Sequence, residues 1–134
     1  MRYALGALVL VTVLLACGGH DDEGGPLMSP GQNCLACHGF TAAGTVYGSA
    51  SAGSGSGLAG VTVELTDANQ AVVTLTSNAA GNFYTQAPLA LPLKKAAVLL
   101  NGQRTEMAGA PAGDCNRCHT VPGVGGASGR IHAP

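Results

Sequence analysis

Two copies of one five-residue pattern limit what this chain can build. The first reads Cys34-Leu35-Ala36-Cys37-His38 and the second Cys115-Asn116-Arg117-Cys118-His119. Together they use four of the five cysteines and two of the four histidines in 134 residues. Any fold must therefore present two thiols and an imidazole side by side at two places, with residues 39–114 folded between them. The spacing suits a flat group held along one edge. Two intervening residues let both sulfurs reach that edge, and the histidine that follows lies beneath its centre. Paired cysteines have two other common uses, a single zinc site shared by all four thiolates and disulfides, which an exported chain favours. Neither gives a reason for histidine directly after both pairs.

A chain of 134 residues has room for one domain. The hydrophobic share is 46%, but much of it is alanine and valine, there is no tryptophan, and 21 residues are glycine. Side chains this small make a thin core, so a cofactor or a sheet sandwich is expected to help hold the fold. The net charge of −1 offers no electrostatic case for a nucleic-acid partner.

The N-terminus reads as a targeting segment. Arg2 gives a short positive start, and residues 4–16 are apolar and uncharged. That run is short for a transmembrane helix and the right size for the core of a signal peptide. It ends in Leu14-Leu15-Ala16-Cys17, which resembles a bacterial lipobox. The resemblance implies that residues 1–16 are a helical lipoprotein signal peptide, and that Cys17 becomes the lipid-modified mature N-terminus. Burying acyl chains is worth roughly 0.8 kcal/mol per methylene, so several chains on Cys17 would hold the protein on a membrane. Without residues 1–16, five basic and seven acidic side chains remain, a net charge of −2. Residues 17–26, which include His20, read as a flexible, hydrated tether. Position 18 is glycine, not the aspartate associated with inner-membrane retention. The resemblance therefore favours the outer membrane, at its periplasmic face or the cell surface.

Residues 27–43 form the first motif segment, residues 44–107 a β domain, and residues 108–134 the second motif segment with a Gly-rich tail. Thr45-Val46-Tyr47 is a short strand. Residues 61–66 alternate strictly, with Val61, Val63 and Leu65 on one face. Residues 67–70 turn, and residues 71–77 return with Val73 and Leu75 inward. Residues 78–82 turn into the strand Phe83-Tyr84-Thr85. Residues 94–100 are a strand, Asn101-Gly102 is a two-residue hairpin turn, and residues 103–107 come back from it. Tyr47, Phe83 and Tyr84 are assigned to the core. No helical period is evident beyond the signal peptide. The expected fold class is mainly β, a small antiparallel β-sandwich flanked by two loop-rich segments. The stretch 44–107, with Leu58-Ala59-Gly60-Val61-Thr62-Val63 and Gly81-Asn82-Phe83-Tyr84, resembles the carboxypeptidase-regulatory or transthyretin-like β-sandwich. Such modules are usually scaffolds. Because the ends of a compact domain tend to lie near each other, the two motifs are expected to approach one another.

The two C-x-x-C-H motifs resemble those of c-type cytochromes. The resemblance implies two covalently bound haems, with thioethers at Cys34, Cys37, Cys115 and Cys118 and axial iron ligation by His38 and His119. It does not extend to the largely helical fold of small cytochromes. For the sixth iron ligands, Met28 and Met107 stand out, because each precedes a motif by a short stretch containing Pro and Gly. His132, in the Gly-rich tail, is the alternative at the second iron. His20 reads as a solvated tether residue. A methionine ligand raises the potential and a second histidine lowers it. Arg117 and Arg130 are candidates for the haem propionates, with solvent exposure as the ordinary alternative. No catalytic set accompanies the motifs. The expected function is electron transfer with redox partner proteins in the periplasm or at the outer membrane, and catalysis is not expected. The alternatives are a small di-haem peroxidase or reductase and a haem-containing binding or sensory module.

Overall fold

The computed structural model describes residues 27–134. The signal peptide, Cys17, His20 and the tether lie outside the described residues. Seven strands form two sheets: β1 (Ala42–Tyr47), β2 (Thr62–Thr66), β3 (Val72–Thr76), β4 (Asn82–Thr85), β5 (Leu93–Leu100), β6 (Gln103–Ala110) and β7 (Ile131–His132). One sheet has the order β4-β1-β7 and the other β3-β2-β5-β6. Their inner faces meet in a core that holds Ala42, Val46 and Phe83 from the first and Val63, Leu65, Leu93 and Val98 from the second. The chain is therefore a small, mainly β sandwich. No helix among the described residues is long and apolar enough to cross a membrane.

The alternation read in residues 61–66 explains the larger sheet. Val61, Val63 and Leu65 are buried, while Thr62, Glu64 and Thr66 are only partly so. Opposite residues in an antiparallel ladder share a face. Val63 pairs with Leu75 and Val98, and Leu65 with Val73 and Ala96. The same register carries inwardness to the edge strand, because Ala96 pairs with Met107. The outer face is polar. There Glu64 pairs with Arg104, Arg104 with Glu106, and Lys95 with Glu106 at 3.2 Å.

β1 is buried at all six positions. Ala42 and Val46 face the core, while Thr45 and Tyr47 point the other way, under the segments that carry the motifs. Gly44 stands opposite Phe83 on β4. A Cβ on Gly44 would come within 2.6 Å of the Phe83 ring and 2.9 Å of the Cys115 Cβ, so only glycine admits this packing.

The expected fold class stands, and the structure adds detail to it. A two-residue strand joins the antiparallel ladders in parallel, since β7 runs parallel to β1, with Val46 opposite Ile131 and Tyr47 opposite His132. His132 therefore lies on a strand and not in a flexible tail. The second motif is not loop, since α1 spans Cys115–Cys118. Tyr84 is 53% exposed, whereas Phe83 is in the core and Tyr47 is buried on the other side of β1. The β region is also wider than 44–107, beginning at Ala42 and running to Ala110 on β6.

The turn after β2 is closed by Asp67, which is buried. Its Oδ1 accepts the N–H groups of Asn69 and Ala71 at 2.8 and 2.9 Å, and its Oδ2 accepts that of Ala90 at 3.0 Å. The Ala90 N–H is the main cause of a carboxyl value below the ordinary one, with burial opposing it. A depressed carboxyl value adds stability above the unfolded value, about 3.9, and loses it as pH falls through the folded one. Urea midpoints of the wild type should thus drop on acidification below about pH 4. Those of Asp67→Asn should start lower and stay flatter, and parallel curves would contradict this account of the turn.

Candidate cofactor site

The two motifs make the same local turn. In the first, Cys34–Ala36 form a single 3-10 turn, and the His38 N–H donates to the Cys34 carbonyl at 2.9 Å. In the second, the His119 N–H donates to the Cys115 carbonyl at 3.1 Å. Closing a turn between positions i and i+4 puts i, i+3 and i+4 on one face. Both cysteines and the histidine of each motif therefore share a side, with the two intervening residues turned away. Cys34, Cys115 and Cys118 carry free thiols. Cys37 is disulfide-bonded, so its sulfur is open to thioether formation only once that bond has been reduced to the thiol.

β1 brings the motifs together. The Ala43 N–H donates to the Gly113 carbonyl at 2.9 Å, so residues 113–116 run along the same edge of β1 that β7 occupies further on. Asn116, an intervening residue of the second motif, is buried against this edge. Its Oδ1 accepts the Thr45 N–H at 3.0 Å, and its Nδ2 donates to the Thr45 Oγ1 at 3.0 Å and to the Gln32 carbonyl at 2.8 Å. Gln32 lies two residues before Cys34. The Thr45 Oγ1 also accepts the Gly31 N–H at 2.9 Å and donates to the Asn82 Oδ1 at 2.7 Å. The Asn82 Nδ2 then donates to the Leu27 and Met28 carbonyls at 2.9 and 3.0 Å. One buried network thus fastens both motif segments to one strand. Burial pushes the Cys115 thiol up to about 12, with the Asp114 carboxylate and then the Cys34 and Cys118 thiols adding to it. The influence of Cys34 on Cys115 reflects the closeness of the two motifs. Burial also pushes the Cys34 thiol up, opposed by a backbone hydrogen bond.

The second motif opens onto a cleft of about 420 Å³, within the size range of cofactor pockets. Its floor is the sandwich core, with Val63, Leu65 and Phe83, and its walls include Cys115, Cys118 and His119. Met107 and His132, both expected from the sequence as sixth ligands, line the same cleft, as does Arg130. The His119 Nδ1 lies 2.9 Å from the Gly129 carbonyl. A carbonyl only accepts, so Nδ1 carries the hydrogen of this bond, and in the neutral ring Nε2 is the nitrogen left for a metal. The His132 Nδ1 is engaged in the same way with the Ala133 carbonyl at 2.9 Å. Two thiols and an imidazole on one face, over an apolar floor, are a donor set that fits a haem at this motif, while the charged lining is mixed, with Glu106 and Asp114 beside Arg130. Among the described residues no three or more His, Cys, Asp or Glu side chains gather into a metal shell. A macrocycle that brings four nitrogens of its own needs only one or two donors from the protein.

Cys34, Cys37 and His38 do not line the cleft at the second motif. Cys37 and His38 are exposed and Cys34 is half-buried. The His38 ring stacks on Phe40 at 5.0 Å between centroids, and Phe40 stacks on Tyr84 at 4.7 Å. Met28 has a positive φ of 59° and lines a separate hollow with Pro30, Ser54 and Ala80, which none of Cys34, Cys37 and His38 lines. Arg117 is 72% exposed at its side chain and already pairs with Asp114 at 3.6 Å.

Sequence reasoning missed Asn116 and its partners Gln32, Thr45 and Asn82, as well as the stack of Phe40 on His38. An asparagine inside a motif whose other members do the chemistry carries no local sign that it is buried. Set against protein-family models, curated proteins and solved structures, the chain finds no match in any of them.

Proposed function

We propose that this chain is a lipid-anchored di-haem c-type cytochrome that carries electrons outside the cytoplasm, in the periplasm or at the outer membrane. The observation that carries the reading is the shared turn. Each motif places two cysteines and a histidine on one face, and the His38 and His119 N–H groups close it alike, at 2.9 and 3.1 Å. Cys34 and Cys37 would hold one haem and Cys115 and Cys118 the other, each thiol S–H adding across a haem vinyl group, and Cys37 enters that addition only after an external dithiol reductant has returned its disulfide to the thiol. When bound, each haem supplies a one-electron iron couple.

The residues divide the remaining work. His119, oriented through the Gly129 carbonyl, offers Nε2 to the second iron. Met107 and His132 stand on the walls of the same cleft as donors for its other face. A sixth protein donor favours a carrier over a peroxidase or reductase, whose iron must stay open to substrate. The apolar floor keeps water from one side of the group and raises its potential. His38, exposed and stacked on Phe40, holds the first haem where a redox partner protein can reach it. Cys17 supplies the membrane attachment through its lipid.

The intact mass of the purified mature protein, read with its reduced-minus-oxidised spectrum, tests both parts. Two haems per chain and acyl chains on residue 17 are expected. A colourless protein with the mass of its amino acids and lipid alone removes the electron-carrier reading.

A further inference from the structure

We infer that Phe40 and Tyr84 are positioning residues for His38, fixing the plane of its imidazole by ring stacking where His119 is fixed by a hydrogen bond. The inference deepens the di-haem reading above and rests on it. The two histidines end identical motifs but are held by different means. The His119 Nδ1 lies 2.9 Å from the Gly129 carbonyl. The His38 ring forms no hydrogen bond among the described residues. It lies instead on the Phe40 ring, at 5.0 Å between centroids and 26° between planes. A ligating histidine needs a second group to orient its ring, and at His38 the group in contact is a phenyl face.

The stack is built onto the sandwich. Gly39 separates the two rings in sequence, and a Cβ there would meet nothing within 4 Å, so the link itself does not aim the imidazole. Beyond Phe40 the chain is tied down. The Thr41 N–H donates to the Thr85 carbonyl at 2.8 Å, and the Thr41 Oγ1 donates to the Thr85 and Ala87 carbonyls at 3.0 and 2.6 Å. Thr85 follows Tyr84 on β4, where Tyr84 stands opposite Ala43 of β1. The Tyr84 ring lies on the other side of the link, 4.7 Å from Phe40 and inclined by 22°. Near-parallel rings at these separations attract one another. Three rings thus run from a strand of the sandwich to the exposed first motif, with Phe40 in the middle. This arrangement gives Tyr84, 53% exposed, a reason to be aromatic.

The ferric electron paramagnetic resonance spectrum of the purified holoprotein tests this, because its low-spin signals report the orientation and order of each axial imidazole. Phe40→Leu, which keeps the bulk and removes the ring, should shift and broaden the signal of one haem and leave the other in place. Phe40→Tyr should restore it. Tyr84→Leu changes an exposed residue and should move the same signal by less, and it serves the comparison should Phe40→Leu fail to accumulate. In Cys34→Ala/Cys37→Ala, which retains only the second haem, Phe40→Leu should change nothing. Unchanged signals in coloured Phe40→Leu and Tyr84→Leu proteins overturn the inference and leave the di-haem reading standing. A change at the second haem also overturns it, because Phe40 then acts through the fold as a whole. A colourless wild type overturns the di-haem reading and this inference with it.

Discussion

Replacing Cys115 and Cys118 with alanine is expected to leave one haem per chain and a much less stable protein. Replacing Cys34 and Cys37 should also leave one haem, but with a fold nearly as stable as before. The asymmetry follows from where the two turns sit. Cys115 packs against the core, and its Cβ stands over Gly44, where a Cβ would come within 2.9 Å of it. Any group held there fills a cleft floored by Val63, Leu65 and Phe83, so losing it empties an apolar site in the sandwich. Emptying a buried apolar site costs about 2–5 kcal/mol, a fall in Tm of roughly 10 °C or more. The first turn is mostly exposed from Ala36 to Gly39, so its group covers little that the fold would otherwise bury. Haem content by mass and spectrum, followed by thermal melts of both double variants, checks the two halves separately. Equal melting temperatures would show that the second motif is as peripheral to the fold as the first.

The parts of this architecture that repeat along the chain can be read from it, and the parts that depend on a distant partner cannot. β2 is the clearest case, since Val61, Val63 and Leu65 bury one face and the pattern needs no partner to be seen. The hairpin at Asn101-Gly102 is equally plain, and Asn101 takes the positive φ of 52° that such a turn asks for. Placing Tyr84 in the core runs against the same rule, because a period of two that buries Phe83 must expose its neighbour. β7 has no pattern of its own. Two residues become a strand because the β1 edge beyond Gly44 is open to them, and the Gly-rich stretch before them lets the chain arrive there in parallel. The start of β1 is hidden for another reason. Ala42, Ala43 and Gly44 are poor strand formers, and they are extended here because β4 and residues 113–114 pair with both edges. At the site, the shared side of Cys34, Cys37 and His38, and of Cys115, Cys118 and His119, is legible because their spacing fixes it. The grouping of Met107 and His132 in one cleft is not, because it depends on the β5–β6 register and on β7. The separation of Met28 from the first motif depends likewise on Asn82, which holds the Leu27 and Met28 carbonyls.

That buried network is the reason the two motifs stand side by side, and Asn116→Leu is expected to show it. Leucine fills similar space and removes every hydrogen bond of the side chain. The Thr45 N–H loses its acceptor, and the Gln32 carbonyl loses its donor. The buried Thr45 N–H left unpaired costs about 1–3 kcal/mol against a typical total of about 5–15, while the carbonyl of exposed Gln32 turns to water. Thr45 still bonds Asn82 and Gly31, so the strand itself should survive while Gln32 and the first turn detach from the second. Two results are therefore expected together. Thermal unfolding should move down by roughly 5 °C or more, and amide exchange should quicken at Thr45 and around Gln32 before it does in β2 and β5. The conservative Asn116→Asp keeps the acceptor for the Thr45 N–H but not the donor for Gln32, so it should fall between the two and release the first segment selectively. Uniform loosening of both sheets in Asn116→Leu would mean that Asn116 serves the sandwich as a whole, and that the juxtaposition of the two motifs has another cause.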